Sequence, residues 1–180
     1  MMKGLNKILV SKAELQHRVK ELGAEISLDY HGQELVLIGI LKGGAVFMAD
    51  LMREITLPIG IDYMSVSSYG NSSTSSGAIV IKKDIDTDIR GKHILIVEDM
   101  IDTGLTLQHL QKHLLTRDAL SVKICTILNK PSRRLVDIKI DYEGIEIPDE
   151  FVVGYGLDYA EQYRHLPDVW IVDTLELGIH

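Results

Sequence analysis

At 180 residues and 20.1 kDa the chain suits one domain, because single hydrophobic cores usually organise roughly 100–200 residues. Apolar residues make up 46% and charged residues 25%, with a mean hydropathy of +0.09, which excludes disorder of the whole chain. Nineteen Lys and Arg against 26 Asp and Glu give a net charge of −7, which argues against nucleic acid as a partner, since broad contact with phosphates needs a basic face.

The opening MMKGLNKILVSKAEL carries too short an apolar run before its charges for a signal peptide, and no later stretch approaches the roughly 20 apolar residues of a membrane span. A cytoplasmic protein without membrane contact is expected. Ser11-Lys-Ala-Glu14 has capping-box form, and Leu15, Val19 and Leu22 follow at helical spacing, with Gly23 expected as the stop. Leu35 to Leu41 is an apolar run of strand length, and after Gly43-Gly44 the pattern from Ala45 to Ile55 is helical. Ile59 to Ser67 alternates as a strand, a small polar stretch runs to Gly77, and a short strand is expected at Ala78 to Ile81.

His93 to Val97 reads as a buried strand, the chain from Thr103 as a helix through Leu107, Leu110 and Leu114, and Val122 to Leu128 as a further strand. The single cysteine, Cys125, lies in that last run, so no internal disulfide forms and the thiol is expected to be buried. Asp137 to Tyr142 alternates, and Phe151 to Val153 and Val169 to Val172 are short strands without long helices between them. The expected fold class is therefore α/β: a mostly parallel central sheet flanked by helices, whose ligands sit beyond the carboxyl ends of the strands. Residues 1–180 are read as one domain, with a core over about 35–130 and a small hood over about 137–180 together with the N-terminal segment.

The strongest chemical signal is Ile94-Leu-Ile-Val-Glu-Asp-Met-Ile-Asp-Thr-Gly-Leu-Thr106, an apolar strand that ends in two acids and then a tight turn into a helix. Unpaired amides, the hydroxyls of Thr103 and Thr106 and the positive end of a helix dipole make that turn a site for a phosphate monoester. Glu98 and Asp99 suit sugar hydroxyls or a hydrated Mg²⁺. A phosphorylated sugar is the implied ligand; the bland alternative makes Asp102 only a helix cap.

The segment from Val97 to Thr106 resembles the phosphoribosyl pyrophosphate (PRPP) signature of type I phosphoribosyltransferases. From about Leu37 to Asp173 the chain resembles the hypoxanthine-guanine members of that family. Leu41-Lys-Gly-Gly44, Ser68-Tyr69, Glu146-Ile-Pro-Asp149 and Phe151-Val-Val-Gly-Tyr-Gly-Leu-Asp-Tyr159 match in order. The resemblance implies that Glu98 and Asp99 hold the ribose hydroxyls, directly or through Mg²⁺, and that Thr103, Gly104, Leu105 and Thr106 cradle the 5′-phosphate. Asp102 would be the general base that takes the proton from purine N7.

The same resemblance makes Leu41, Lys42 and Gly43 a pyrophosphate loop with a cis peptide between Leu41 and Lys42, and gives pyrophosphate a second cation in Arg164. It casts Lys139 as the cation that reads the exocyclic oxygen of a 6-oxopurine, where adenine would present donors to a donor. Phe151 would stack on the purine with Ile101 on its other face, Val152 would offer backbone groups to its edge, and Asp158 would bind a second Mg²⁺. Ser68 and Tyr69 would head a mobile loop that closes over the site. Leu105 stands where some relatives carry lysine. A dimer or tetramer is implied on the same ground.

Other patterns fail. Asp84 to Asp88 imitates a calcium loop but has Ile89 where glycine is required, and His109 with His113 lacks a zinc-protease glutamate and is expected to be solvated. The expected reaction is transfer of phosphoribose from PRPP to hypoxanthine or guanine, giving IMP or GMP and pyrophosphate. The rivals are a xanthine-preferring enzyme and a nucleic-acid-binding regulator on the same fold.

Overall fold

The structure is a computed structural model and describes residues 4–68 and 79–177. Its framework is a six-stranded sheet of β2 (Leu35–Leu41), β3 (Ile59–Ser68), β4 (Ile79–Lys83), β5 (His93–Ile101), β6 (Ser121–Asn129) and β7 (Tyr142–Glu146), in the order β4-β3-β2-β5-β6-β7. All neighbours run parallel except the antiparallel pair β3–β4. Both faces are covered, which is why the central strands read as unbroken apolar runs. Leu35, Leu37, Leu95, Val97, Cys125 and Ile127 point toward α1 (Lys12–Asp29) and α2 (Gly44–Glu54), while Val36, Ile38, Ile94, Ile96 and Ile124 pack under α3 (Leu105–Leu115).

The N-terminus adds a strand that the sequence pattern did not announce, β1 (Leu5–Val10). It pairs antiparallel with β9 (Val169–Val172), which also pairs with β8 (Val152–Val153), so the chain's two ends share one small sheet. That sheet rests on the α1–α2 core through Val10, Val152, Val169 and Ile171. The Tyr155 hydroxyl donates to Asp50 of α2 at 2.8 Å.

Four expectations change. Gly23 does not end α1: the helix runs on to Asp29 behind the Ser11–Glu14 capping box, and Gly23 lies where a Cβ would fall 2.5 Å from the Cβ of Glu54. The glycine serves close helix packing, not termination. The strand expected at 78–81 is β4, Ile79–Lys83, and Ala78 lies outside the described residues. The alternation over 137–142 is real in burial but not in pairing, because only from Tyr142 does the chain join the sheet; Val136, Ile138 and Ile140 turn inward toward α3 from an irregular segment. His113 is not freely solvated: its Nε2 lies 3.1 Å from Asp84, which also meets Arg117. Among the described residues no helix is long and apolar enough to cross a membrane.

Candidate active site

Because β2, β5 and β6 run parallel and in register, their carboxyl ends open on one edge of the sheet. The peptide Leu41–Lys42 at the end of β2 is cis. Gly43 then passes the end of β5 so closely that a Cβ there would fall 1.7 Å from Asp99 Oδ2, so only glycine lets this loop touch the carboxylate. From above, Gly156 at φ +100° presses on the same loop, and its own missing Cβ would lie 2.1 Å from the Gly43 carbonyl oxygen.

Glu98 and Asp99 sit side by side at the end of β5, with Asp99 Oδ1 accepting from the Met100 amide at 2.8 Å. Burial pushes both carboxyl groups above their ordinary range, and for Glu98 the neighbouring carboxylate adds to it. A pair of carboxylates at the carboxyl edge of a sheet can accept from hydroxyl donors or ligate a hydrated cation. The chain then turns through Asp102 and Gly104, whose φ of +83° suits glycine, into α3. Gly104, not Asp102, is the residue that precedes the helix, so Asp102 is not spent as a cap.

Two cavities meet at this edge. The smaller, about 210 Å³, is lined by Glu98, Asp102, Thr103, Gly104 and Thr106 at the start of α3, where amides of the first turn have no acceptor within the helix. The larger, about 650 Å³, is lined by Lys42, Gly43, Asp99, Met100, Asp102, Lys130, Phe151, Val152, Asp158 and Arg164, with Arg133 and Asp149 at its rim. Asp102 and Met100 line both.

The larger cavity has two chemically distinct ends. At one, Arg164 donates from Nη1 to the Gly156 carbonyl at 2.8 Å and meets Asp158 at 2.8 Å and Glu161 at 3.5 Å through Nη2, while Lys42 Nζ meets Glu161 at 2.7 Å. The hydrogen bond from Lys42 holds the Glu161 carboxyl below its ordinary range. At the other, Lys130 is 7% exposed and donates from Nζ to the Glu150 carbonyl at 2.6 Å, beside Phe151, whose ring meets Tyr159 edge-on at 6.0 Å. Burial pulls the Lys130 ammonium below its ordinary range, partly offset by Asp102 and Asp149.

Of the expected residues, Asp99, Asp102, Lys42, Gly43, Phe151, Val152, Asp158 and Arg164 are brought together around the larger cavity, with Glu98, Thr103, Gly104 and Thr106 around the smaller. Lys139 is not among them. It is 81% exposed and paired with Asp141 at 2.8 Å, on an irregular segment whose alternate residues Val136, Ile138 and Ile140 turn inward and leave Lys139 facing out. The lysine that reaches the cavity is Lys130, directly after β6. Ile101 also moves from its assigned place: it is 1% exposed in the core beneath α3 and touches only the smaller cavity, whereas Met100 faces the larger one. Successive strand residues point to opposite faces, so a shift of one reverses the environment. Leu105 opens α3 and lines neither cavity. Ser68 closes β3, and Tyr69 with the rest of the expected mobile loop to Gly77 lies outside the described residues.

Arg133 is a further residue that the sequence reading missed; its Nε meets Asp102 Oδ1 at 3.1 Å and its Nη1 meets Asp149 at 3.7 Å. The signal for both Lys130 and Arg133 was available: basic residues immediately after a buried parallel strand belong at the ligand edge.

The carboxyl edge of this α/β sheet thus carries an acid pair, a tight turn into a helix and a cavity lined by basic side chains. The phosphoribosyl transferase domain profile matches residues 8–160. The hypoxanthine-guanine phosphoribosyltransferase of Bacillus subtilis is 53% identical over 168 residues, covering 93% of each chain. The hypoxanthine phosphoribosyltransferase of Salmonella typhimurium is 49% identical over 177 residues, covering 97% of this chain and 99% of that one. A crystal structure of a hypoxanthine phosphoribosyltransferase from Staphylococcus aureus superposes with a TM-score of 0.91 at 46% identity, over 95% of this chain and 93% of that one. The chain belongs to the phosphoribosyltransferase family, within its hypoxanthine-guanine branch.

Proposed function

We propose that the chain is a purine salvage transferase that joins hypoxanthine or guanine to the phosphoribosyl group of PRPP. The observation that carries this reading is the position of Asp102, a carboxylate that lines both the phosphate-type cavity and the aromatic, cation-bearing one. A sugar phosphate in the first and a base in the second would meet beside it.

In this mechanism the amides and hydroxyls from Thr103 to Thr106 hold the 5′-phosphate, and Glu98 and Asp99 hold the ribose hydroxyls. Lys42, the Gly43 loop and Arg164 receive the pyrophosphate. The bond between C1′ and the pyrophosphate oxygen breaks with its electron pair leaving on pyrophosphate, purine N9 bonds to C1′, and Asp102 takes the proton from N7. Its charge also offsets the positive charge that builds on the ribose. The Lys130 ammonium faces the purine's 6-oxo group, and Phe151 and Met100 enclose the ring. Anchoring of Lys130 on the Glu150 carbonyl fixes its reach, so a base that offers an amino group at this position gives the ammonium's remaining N–H donors no acceptor.

The residues fit Mg²⁺. Glu98, Asp99 and Asp158 present only oxygens, the donors that Mg²⁺ takes while it keeps several waters and completes its shell with substrate phosphates. When bound, the ion would offset the negative charge of the pyrophosphate group of PRPP and make it a better leaving group. Assembly as a dimer or tetramer and a cytoplasmic location belong to the same reading.

Initial rates of nucleotide formation from PRPP with hypoxanthine, guanine, xanthine and adenine, with and without a chelator, test it. Turnover of the first two that disappears with the chelator is expected. A preference for xanthine overturns the named substrates, and no transfer to any purine overturns the reaction.

A further inference from the structure

Glu161 reaches across 119 positions of sequence to meet Lys42 Nζ at 2.7 Å, and its second oxygen lies 3.5 Å from Arg164 Nη2. These are the cations assigned above to pyrophosphate, one on the loop after β2 and one in the small C-terminal sheet region. A single carboxylate therefore bridges both halves of the anion site. We propose that Glu161 is a built-in stand-in for pyrophosphate: it holds Lys42 and Arg164 in the free enzyme, yields them to the ligand, and competes for them again as pyrophosphate leaves. The proposal rests on the transfer reading above and assigns a positioning role to a residue that the reading does not use.

Three features support displacement. Lys42 and Glu161 are each about two-thirds exposed, at 66% and 65%, so their contact is screened by water and yields to a more highly charged anion. Arg164 keeps Asp158 at 2.8 Å and the Gly156 carbonyl when Glu161 departs, so its orientation survives the exchange. The turn that bears Glu161 is under backbone constraint, with Ala160 at φ +49°, Glu161 at +64° and Tyr163 at +74°. Non-glycine residues in that region persist where contacts hold them, here the Glu161 amide on Asp158 Oδ2 at 2.9 Å and the Tyr159–Gln162 pairing. These backbone contacts do not involve the Glu161 carboxylate, so the side chain can leave Lys42 while the turn keeps its shape.

Glu161→Gln in the full chain tests the exchange. Calorimetric titration with inorganic pyrophosphate in the presence of Mg²⁺ is expected to show about three- to tenfold tighter binding than wild type, because a competing charge and a like-charge repulsion are both removed. The inhibition constant of pyrophosphate against PRPP should fall by the same factor, while the KM for hypoxanthine and the thermal midpoint stay unchanged. Unchanged or weaker pyrophosphate binding by the variant overturns the proposal and leaves the transfer reading standing. If the wild-type chain takes up neither pyrophosphate nor PRPP, the transfer reading falls, and the proposal with it.

Discussion

Asp102 owes its assigned role to its neighbours as much as to its own chemistry. Its carboxylate lies between two cavities, is free of capping duty because Gly104 precedes α3, and meets the Arg133 guanidinium at 3.1 Å. Asp102→Asn keeps the shape and removes the base; turnover is expected to fall roughly 10²-fold or more while PRPP affinity stays within several-fold, as single-turnover kinetics and equilibrium titration will show. A second prediction separates two lysines. Lys130→Ala should raise the KM for hypoxanthine about tenfold or more by leaving the base oxygen without its cation, and Lys139→Ala, at an exposed position outside the cavity, should change it by less than about twofold. The acid pair and the turn after it were legible in sequence because they are contiguous, and the Leu41–Lys42 cis peptide was expected only through the family resemblance. Lys130 and Met100 were not, because what distinguishes them from Lys139 and Ile101 is the face on which a strand ends and the direction in which the next segment leaves it.

At the scale of elements, the site depends on joints that no motif contains. Gly43 lets the loop after β2 close on the Asp99 carboxylate and Gly156 lets a second loop close on the Gly43 carbonyl, so the loop after β2 is shaped by glycines more than 100 positions apart in sequence. On the far side of the sheet, Asp62 in β3 holds the segment that leads into β5. Its carboxylate accepts from the amides of Tyr63, Asp86 and Thr87 at 2.7, 2.9 and 2.9 Å. Burial pushes this carboxyl up, but the hydrogen bonds outweigh it and hold it at about 2. A carboxylate whose pKa is lower in the folded chain than its unfolded value, ~3.9, adds stability above that value. That stability is lost as pH falls through about 2. Asp62→Asn should therefore lower the urea midpoint at neutral pH and flatten its fall between roughly pH 4 and pH 2, relative to wild type.

At the scale of the molecule, two apolar layers enclose the sheet, and the chain's ends complete a small second sheet above the carboxyl edge. Cys125 reports on the integrity of the larger layer. It is 0% exposed at the centre of β6, and burial pushes its thiol well above the ordinary range. A thiol reagent at pH 8 is expected to leave the native protein unmodified over minutes and to titrate the single cysteine once guanidinium unfolds it. Reaction of the native protein would mean that the layer opens readily, contrary to this packing.

By itself, the order of residues determined the α/β class, the strands that lie buried on both faces and the turn that suits a phosphate, because each of these is written in a local period or a contiguous motif. Only tertiary structure decided that Gly23 joins two helices instead of ending one, that the N-terminal strand belongs with the last, and that Lys130 and not Lys139 enters the cavity. The physical reason is common to all three: each depends on which distant backbone lies within a few ångströms, a quantity that spacing along the chain does not encode.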